Sequence, residues 1–455
     1  MSQFDLVILG GGSGGYAAAL RGAQLGLSVA LIEADKVGGT CLHRGCIPTK
    51  ALLHSAEIAD GAREGSHFGV KSTFDGIDMA GVNSYKDGVI GKLYKGLTGL
   101  VKSRGITFIE GYGKLVAKDA VEVNGVRYTG KNVILATGSY AKTLPGLEID
   151  GEKIITSDHG TKMSYVPKSV IVLGGGVIGC EFASVWKSFG VDVTIIEGLN
   201  HLVPLEDESS SKLLERAYRK RGINFELGVR FQSAVKTADG VTVTLEDGRE
   251  FTADVLLVSV GRGPVTDGIG YQEVGVAMDR GYITVDDHCR TNIPGIFAVG
   301  DIIPTLQLAH VGFQEGILVA ETIAGLNPRP INYDGVPRVT YSEPEVASVG
   351  LSTKIAKERG YDVVELDYNL AGNGKAQILK TAGSIKLVSE KNGPVLGIHM
   401  VGSRVGELLA EAQLIFNWEA TAADVAPLIH AHPTMSEAMG EAHMALAGKP
   451  LHAHG

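Results

Sequence analysis

Short, continuous apolar runs alternate along this chain with glycine clusters and with longer stretches whose apolar positions recur at helical spacing. Residues 4–9, 27–32, 133–135, 169–173 and 191–196 are almost wholly apolar. Runs that brief and uninterrupted predict strands buried on both faces, the pattern of a parallel sheet covered by helices. Residues 51–110 predict amphipathic helices broken at glycines, and residues 121–123 and 126–128 predict short alternating strands. Beyond a proline-rich linker at 328–337 the pattern changes. Residues 339–349, 384–388 and 395–400 predict an antiparallel sheet, and helices are expected at about 405–417 and 434–447. The fold class expected is α/β, with an α+β region at the C-terminus.

Composition narrows the function. The 455 residues suffice for two to four domains at roughly 100–200 residues each. Lys and Arg number 42 against 51 Asp and Glu, a net charge of −9. That balance lacks the broad basic face a phosphate backbone needs, so nucleic acid is not an expected partner. A hydrophobic content of 44% excludes a disordered chain. The 62 glycines fall in clusters between apolar runs, as where a backbone must approach a ligand closely. The first basic residue is Arg21, so no secretory signal is expected. No apolar stretch approaches the ~18 residues of a membrane span, and a cytoplasmic protein without a membrane partner is expected. Cys41, Cys46, Cys180 and Cys289 are too few for a secreted disulfide framework. The close pair, Cys41 and Cys46, reads as catalytic or metal-binding.

The run at 4–9 leads into Gly10, Gly12 and Gly15, then an Ala-rich helix, then a second run that ends in Glu33. Strand, glycine turn, helix, strand and terminal acid together form the dinucleotide-binding fingerprint. The first glycine permits a tight turn, the second lets a pyrophosphate approach the helix N-terminus, and the third lets helix pack on strand. The acid accepts hydrogen bonds from ribose hydroxyls. The unit recurs: the run at 169–173 leads into Gly174, Gly176, Val177, Ile178 and Gly179, and the run at 191–196 ends in Glu197. From Gly10 to Glu33 and from Gly174 to Glu197 the spacing is 23 positions, and the copies lie 164 positions apart. Two Rossmann-like domains imply two dinucleotides and electron transfer between them. Gly198, Leu199 and Asn200 follow Glu197, with no Arg or Lys for a 2′-phosphate. A carboxylate there would repel one, so NAD is expected over NADP.

Residues 291–301, Thr-Asn-Ile-Pro-Gly-Ile-Phe-Ala-Val-Gly-Asp, read as a strand ending in an acid. They resemble the second flavin motif of two-dinucleotide flavoproteins, whose carboxylate, here Asp301, binds the ribityl or nearby hydroxyls of FAD. Ala136, Thr137 and Gly138 resemble the strand exit from the first domain of such proteins. The resemblance makes the first unit the FAD site and the second, inserted unit the NAD site. The expected organisation is an FAD-binding domain at 1–141, an NAD-binding domain at 142–265, a returning FAD segment at 266–330 and an interface domain at 331–455.

Gly38-Gly39-Thr40-Cys41-Leu42-His43-Arg44-Gly45-Cys46-Ile47-Pro48-Thr49-Lys50 follows the first unit. Two cysteines separated by four residues near a helix start suit a redox disulfide, because N-terminal N–H groups stabilise a thiolate. A zinc site using His43 or His54 is the competing use, although structural zinc usually takes a second ligand pair. Near the C-terminus stands His430-Ala431-His432-Pro433-Thr434-Met435-Ser436-Glu437. A dithiol reduces a disulfide only when its protons are removed. Histidine is the natural base near neutral pH, and a carboxylate that orients the ring completes the device.

With these motifs in place the chain resembles, over essentially its whole length, the pyridine nucleotide–disulfide oxidoreductase family, and within it the enzymes that oxidise dihydrolipoyl groups with NAD⁺ as acceptor. The resemblance implies FAD and NAD as cofactors and no metal. It makes Cys41 the interchange thiol, Cys46 the flavin-side thiol, His432 the base and Glu437 the acid that orients it. It implies that Lys50 lies near the flavin, paired with Glu181. It also implies that Gly113, Leu308, Ala309 and His310 lie beside FAD and that Gly261 approaches the nicotinamide nucleotide. A homodimer follows, with a lipoyl-bearing acyltransferase or carrier protein of a multienzyme complex as partner. On spacing alone Lys50 and Glu181 read as solvated residues on two helices, His310 as a packed helix start and His430 as a structural neighbour. His443, His452 and His454 read as a solvated tail. His43 and Arg44 stand where the family commonly has Asn-Val. A glutathione-type reductase would carry basic residues after Glu197, and a mercuric-type reductase a cysteine pair near its C-terminus; this sequence has neither. A reductase for another small thiol and a structural subunit of a complex are the alternatives.

Overall fold

A computed structural model describes residues 3–452. The chain forms two compact units. The first draws on Met1–Leu52, Ala80–Lys142 and Gly261–Tyr333, and the second on Leu53–Met79, Thr143–Val260 and Asp334–Gly455.

The first unit is built on a seven-stranded sheet. Gln3–Leu9 lies at its centre, parallel to Val29–Glu33 on one side and to Val126–Leu135 on the other. Thr107–Glu110 extends one edge and Ile296–Ala298 pairs with the end of Val126–Leu135, both parallel. Two antiparallel strands, Gly113–Ala117 and Ala120–Val123, fold back beside Val126–Leu135. The central strand is flanked by strands that arrive later in sequence on both sides. Its C-terminal end is therefore the point where strand order reverses and a crevice opens for a ligand. Leu6, Val7, Ile8, Leu31, Ile32 and Ile134 have no exposed surface, which accounts for the continuous apolar runs.

The second unit repeats this arrangement. Ser169–Leu173 is central in a parallel five-stranded sheet, between Asp192–Glu197 and Val255–Val258, with Asn224–Leu227 and Ile154–Thr156 outside them. A three-stranded antiparallel meander, Phe231–Lys236, Val241–Leu245 and Glu250–Ala253, precedes the strand Val255–Val258. The same unit holds a five-stranded antiparallel sheet in the order Arg338–Thr340, Glu345–Gly350, Val395–Gly402, Ser384–Glu390 and Val363–Asn369. Every residue of its central strand Val395–Gly402 is buried. Residues 53–79 belong here because polar contacts hold them. Asp60 accepts from the Ser188 hydroxyl at 2.5 Å and from Arg221 at 3.3 Å, and Lys380 donates to the His67 carbonyl at 2.7 Å.

Several expected elements differ in extent. The run at 291–301 is not one strand. Pro294 has no N–H to donate, the Thr291 hydroxyl closes a turn onto the Ile296 carbonyl at 2.9 Å, and only Ile296–Ala298 pairs with the sheet. Asp301 stands instead on the 3₁₀ turn Gly300–Ile302. Residues 107–110, expected as helix, form a strand on a sheet edge. The run at 339–349 is broken into two strands at 341–344, where the Ser342 hydroxyl bonds the Pro344 carbonyl. Val363–Asn369 was not expected; as an edge strand with most side chains exposed it carries little apolar signal. His443 does not lie in a solvated tail. It is fully buried on the helix Glu437–Leu446. His452 is exposed and bonds Glu441 at 2.9 Å, and His454 lies outside the described residues.

Candidate active site

The two glycine turns are alike to the level of single atoms. Gly10 and Gly174 take φ +107° and +108°, where a side chain would be strained, and a Cβ would also meet a carbonyl oxygen of the adjacent strand, that of Ala136 at 2.2 Å and that of Ser259 at 2.5 Å. A Cβ on Gly15 would stand 1.8 Å from the Gly10 carbonyl oxygen, and one on Gly179 would stand 1.9 Å from that of Gly174. Both helices, Ser13–Gln24 and Val177–Ser188, have glycine N-caps, Gly12 and Gly176, and neither N-cap supplies a side-chain hydrogen bond. A Cβ on Gly176 would meet nothing within 4 Å, and one on Gly12 nothing nearer than 4.0 Å. With no N-cap side chain on their first-turn N–H groups, both helix starts suit a pyrophosphate. Glu33 accepts from the N–H of Gly11 at 2.6 Å and of Asp35 at 2.9 Å; Glu197 accepts from Gly175 at 2.6 Å and Leu199 at 2.7 Å. Each carboxylate is thereby fixed at its strand end with lone pairs left for ribose hydroxyls. The residues fit a dinucleotide at each turn.

Asp301 is bonded to the strand pair by which the chain leaves and re-enters the first unit. Its carboxylate accepts a short hydrogen bond from the Ser139 hydroxyl. Ser139 in turn receives the Arg262 guanidinium, at 2.7 Å on the hydroxyl and 2.7 Å on the carbonyl. Ser139–Ala141 and Arg262–Pro264 pair as the antiparallel strands that leave and re-enter this unit. The Thr137 hydroxyl donates to the Val265 carbonyl at 2.6 Å, and Gly138 and Gly261 take positive φ beside them. The space a Cβ on Gly113 would need is filled by Leu9, 2.5 Å away. Leu308 is the N-cap of Ala309–Ile323, and His310 is exposed in its first turn. Ser139, Arg262 and Glu315 escaped the sequence reading. Ser139 follows Ala136-Thr137-Gly138 and Arg262 follows Gly261, so proximity to those motifs was the available signal for two of them.

Cys41 lies in the short helix Gly39–His43, and Cys46 is the first residue of Cys46–Glu64. Both thiols are half-buried. The hydrogen-bonded Cys46 thiol and burial push Cys41 well above the usual thiol range, with Lys50 pulling the other way. The two sulfurs titrate as a pair, and Cys46 stands in the first turn of its helix. Tyr16 lies in the field of both sulfurs, and burial with their charge pushes its hydroxyl up to about 12. His43 is tied down, with Nε2 3.0 Å from the Val37 carbonyl and its ring edge-on to Tyr94. His54 is exposed and bonds Glu57 at 3.0 Å. Among the described residues no group of three or more His, Cys, Asp or Glu could hold a metal ion.

In the second unit, His432 Nδ1 stands 2.8 Å from Glu437, whose other oxygen accepts the Thr434 N–H at 2.8 Å. Against its burial, these two partners hold the Glu437 carboxyl below its ordinary value. The His432 ring is 76% exposed, so its Nε2 side is open to a substrate. His430 forms a separate pair with Glu411 at 2.7 Å. Glu181 is buried and accepts the Tyr341 N–H at 3.0 Å rather than standing in solvent.

Comparison with known proteins agrees with this chemistry. Residues 4–316 match the family model described as pyridine nucleotide-disulphide oxidoreductase, and residues 336–443 match that family's dimerisation domain. The chain is 41% identical to a dihydrolipoyl dehydrogenase of Bacillus subtilis (strain 168), with 99% of each covered. It is 40% identical to the mitochondrial dihydrolipoyl dehydrogenase of Pisum sativum, covering 98% of this chain and 92% of that one. It is 39% identical to a leghemoglobin reductase of Glycine max, covering 99% of this chain and 88% of that one. Among solved structures, LpdA from Mycobacterium tuberculosis superimposes with a TM-score of 0.91 at 28% identity, covering 98% of this chain and all of that one. Proteins of this kind work with FAD and NAD, for which the two glycine turns are fitted. The chain belongs to the pyridine nucleotide-disulphide oxidoreductase family.

Proposed function

We propose that the protein is a cytoplasmic homodimer that oxidises dihydrolipoyl groups to the lipoyl disulfide with NAD⁺ as acceptor. Its macromolecular partner is the lipoyl-bearing acyltransferase or carrier protein of a 2-oxo acid dehydrogenase or glycine cleavage complex. The observation that carries this reading is the presence in one chain of the Cys41 and Cys46 pair, the His432 and Glu437 pair, and two dinucleotide turns.

With the cysteines joined as a disulfide, His432 removes the proton from one substrate thiol, and the thiolate attacks the Cys41 sulfur. The S–S bond breaks and Cys46 leaves as thiolate. The second substrate thiol displaces Cys41 from the mixed disulfide and closes the lipoyl disulfide, its proton passing to the departing Cys41 sulfur. Substrate has lost two electrons and the cysteine pair has gained them. Glu437 keeps the proton of His432 on Nδ1, leaving Nε2 to take the substrate's proton. FAD held at the first glycine turn would supply the two-electron relay between the reduced cysteine pair and NAD⁺. Lys50, with its cationic side chain, and Glu181 are assigned to the flavin side of this path. Asp301, Gly113, Ala136, Thr137, Gly138, Leu308, Ala309 and His310 are assigned to FAD, and Val177, Ile178 and Gly261 to NAD.

The test is NAD⁺ reduction with dihydrolipoamide, set beside NADH oxidation with glutathione disulfide and other small disulfides. Turnover of dihydrolipoamide with at least a hundredfold higher kcat/KM is expected. Faster turnover of another disulfide would reassign the substrate, and no turnover of any would leave a structural subunit.

A further inference from the structure

Glu315 has no exposed surface, yet it is an acid. It projects from the helix Ala309–Ile323. One carboxylate oxygen accepts the Gly300 N–H at 2.6 Å, and the other accepts the hydroxyls of Thr305 at 2.8 Å and Tyr333 at 3.0 Å. Burial of a carboxylate is costly unless donors meet it. Here burial pushes the acid up to about 7 against those three donors, and the nearby Asp301 charge pushes the same way. An apolar side chain would fill this volume without that cost, so the carboxylate needs an explanation beyond packing.

The explanation lies in what it grips. Gly300 takes φ +75° where the chain leaves the strand Ile296–Ala298, and its N–H has no strand partner there. Glu315 receives that N–H, one residue before Asp301. The Asp301 carboxylate in turn accepts the Ser139 hydroxyl. The backbone next to Asp301 and the Asp301 side chain are thus each held by a hydrogen bond.

We propose that Glu315 is a positioning residue of the flavin site, anchoring the Gly300–Asp301 turn so that the Asp301 carboxylate is presented to the polyol hydroxyls of FAD. The proposal rests on the assignment of Asp301 to FAD. It is tested by diluting the holoprotein and following free-flavin fluorescence to obtain the FAD dissociation constant. Glu315→Ala is expected to weaken FAD binding at least tenfold. Glu315→Gln, whose amide carbonyl still accepts the Gly300 N–H, is expected to stay within about threefold of wild type. Asp301→Ala is expected to weaken binding as well, and the double variant Glu315→Ala with Asp301→Ala no further than Asp301→Ala alone, because the first residue acts through the second. Wild-type FAD binding in Glu315→Ala, no rescue by Gln, or full additivity in the double variant overturns the proposal. Wild-type binding in Asp301→Ala instead overturns the assignment of Asp301. Should Glu315→Ala fail to fold, Thr305→Val with Tyr333→Phe removes two of the donors. That variant is expected to lose FAD at least threefold more readily, and unchanged retention overturns the anchor.

Discussion

His443 shows how far one buried side chain can govern behaviour in acid. Its Nδ1 is 2.7 Å from the Met439 carbonyl one turn earlier, and burial pushes the imidazole down to about 4. In the unfolded chain it ionises near pH ~6.5. Above that value both states are neutral and the fold bears no charge cost. As the pH falls from about 6.5 through 4, the unfolded chain takes up a proton that the fold refuses. At 1.36 kcal/mol per pH unit the holoenzyme loses up to about 3 kcal/mol over that window. His443→Asn, which can still donate to the Met439 carbonyl, should lose correspondingly less between pH 7.5 and 4.5 in urea unfolding. Equal losses would refute the assignment. At the proposed base, His432→Ala should lower kcat with dihydrolipoamide by about 10²–10⁴ while the flavin stays bound. Glu437→Gln keeps an acceptor for the Thr434 N–H but removes the charge behind the ring, and should lower kcat at least tenfold. Steady-state kinetics with unchanged visible spectra would check both.

At the scale of elements, the repeated strand–turn–helix unit makes separable predictions for its two copies. A methyl on Gly15 or Gly179 would collide with the carbonyl oxygen of the first glycine of the same turn, forcing helix away from strand. Gly15→Ala should release FAD. Gly179→Ala should keep a yellow protein and raise KM for NAD⁺ at least tenfold. Loss of flavin in Gly179→Ala, or retention of both cofactors in either variant, would break the assignment of copies to cofactors. Coenzyme choice belongs to the same scale. Glu197 ends its strand held by two backbone N–H groups, so it cannot swing away from a 2′-phosphate. NAD⁺ should be preferred to NADP⁺ by at least tenfold in kcat/KM, about 1.4 kcal/mol. Equal values for the two coenzymes in the unmodified enzyme would contradict this.

At the scale of the whole molecule, the cysteine pair lies in one compact unit and the His432 and Glu437 pair in the other, and the chain carries its family's dimerisation domain. We expect the base of one subunit to serve the disulfide of the other. Cys41→Ser and His432→Ala homodimers should each be nearly inactive. A hybrid dimer of the two would then hold one site with both lesions and one with none, and should recover up to about half of wild-type activity, since independent sites add. Purified hybrids that stay inactive, with FAD and dimerisation intact, would reject a shared site. Among the described residues no helix is long and apolar enough to cross a membrane.

The parts of this protein written in local pattern were open to reading from the chain alone. The two dinucleotide units are such a case, because each needs a glycine where backbone crowds backbone and an acid where a strand ends, and sequence records both. The cysteine pair and the His432 and Glu437 pair were legible for the same reason, the members of each being five positions apart. Contacts between distant segments left no such trace. Ser139 and Asp301 are 162 positions apart, Arg262 and Ser139 are 123 apart, and only the folded sheet brings them together. Glu315 reads in sequence as one acid on a helix; its burial is set by a turn and a tyrosine that tertiary structure places around it. His443 looked solvated because its neighbours in sequence are mixed, whereas burial depends on which face of the helix meets the sheet core. Local steric and hydrogen-bonding demands are encoded residue by residue, while the cost of burying a charge is decided by the company that packing brings to it.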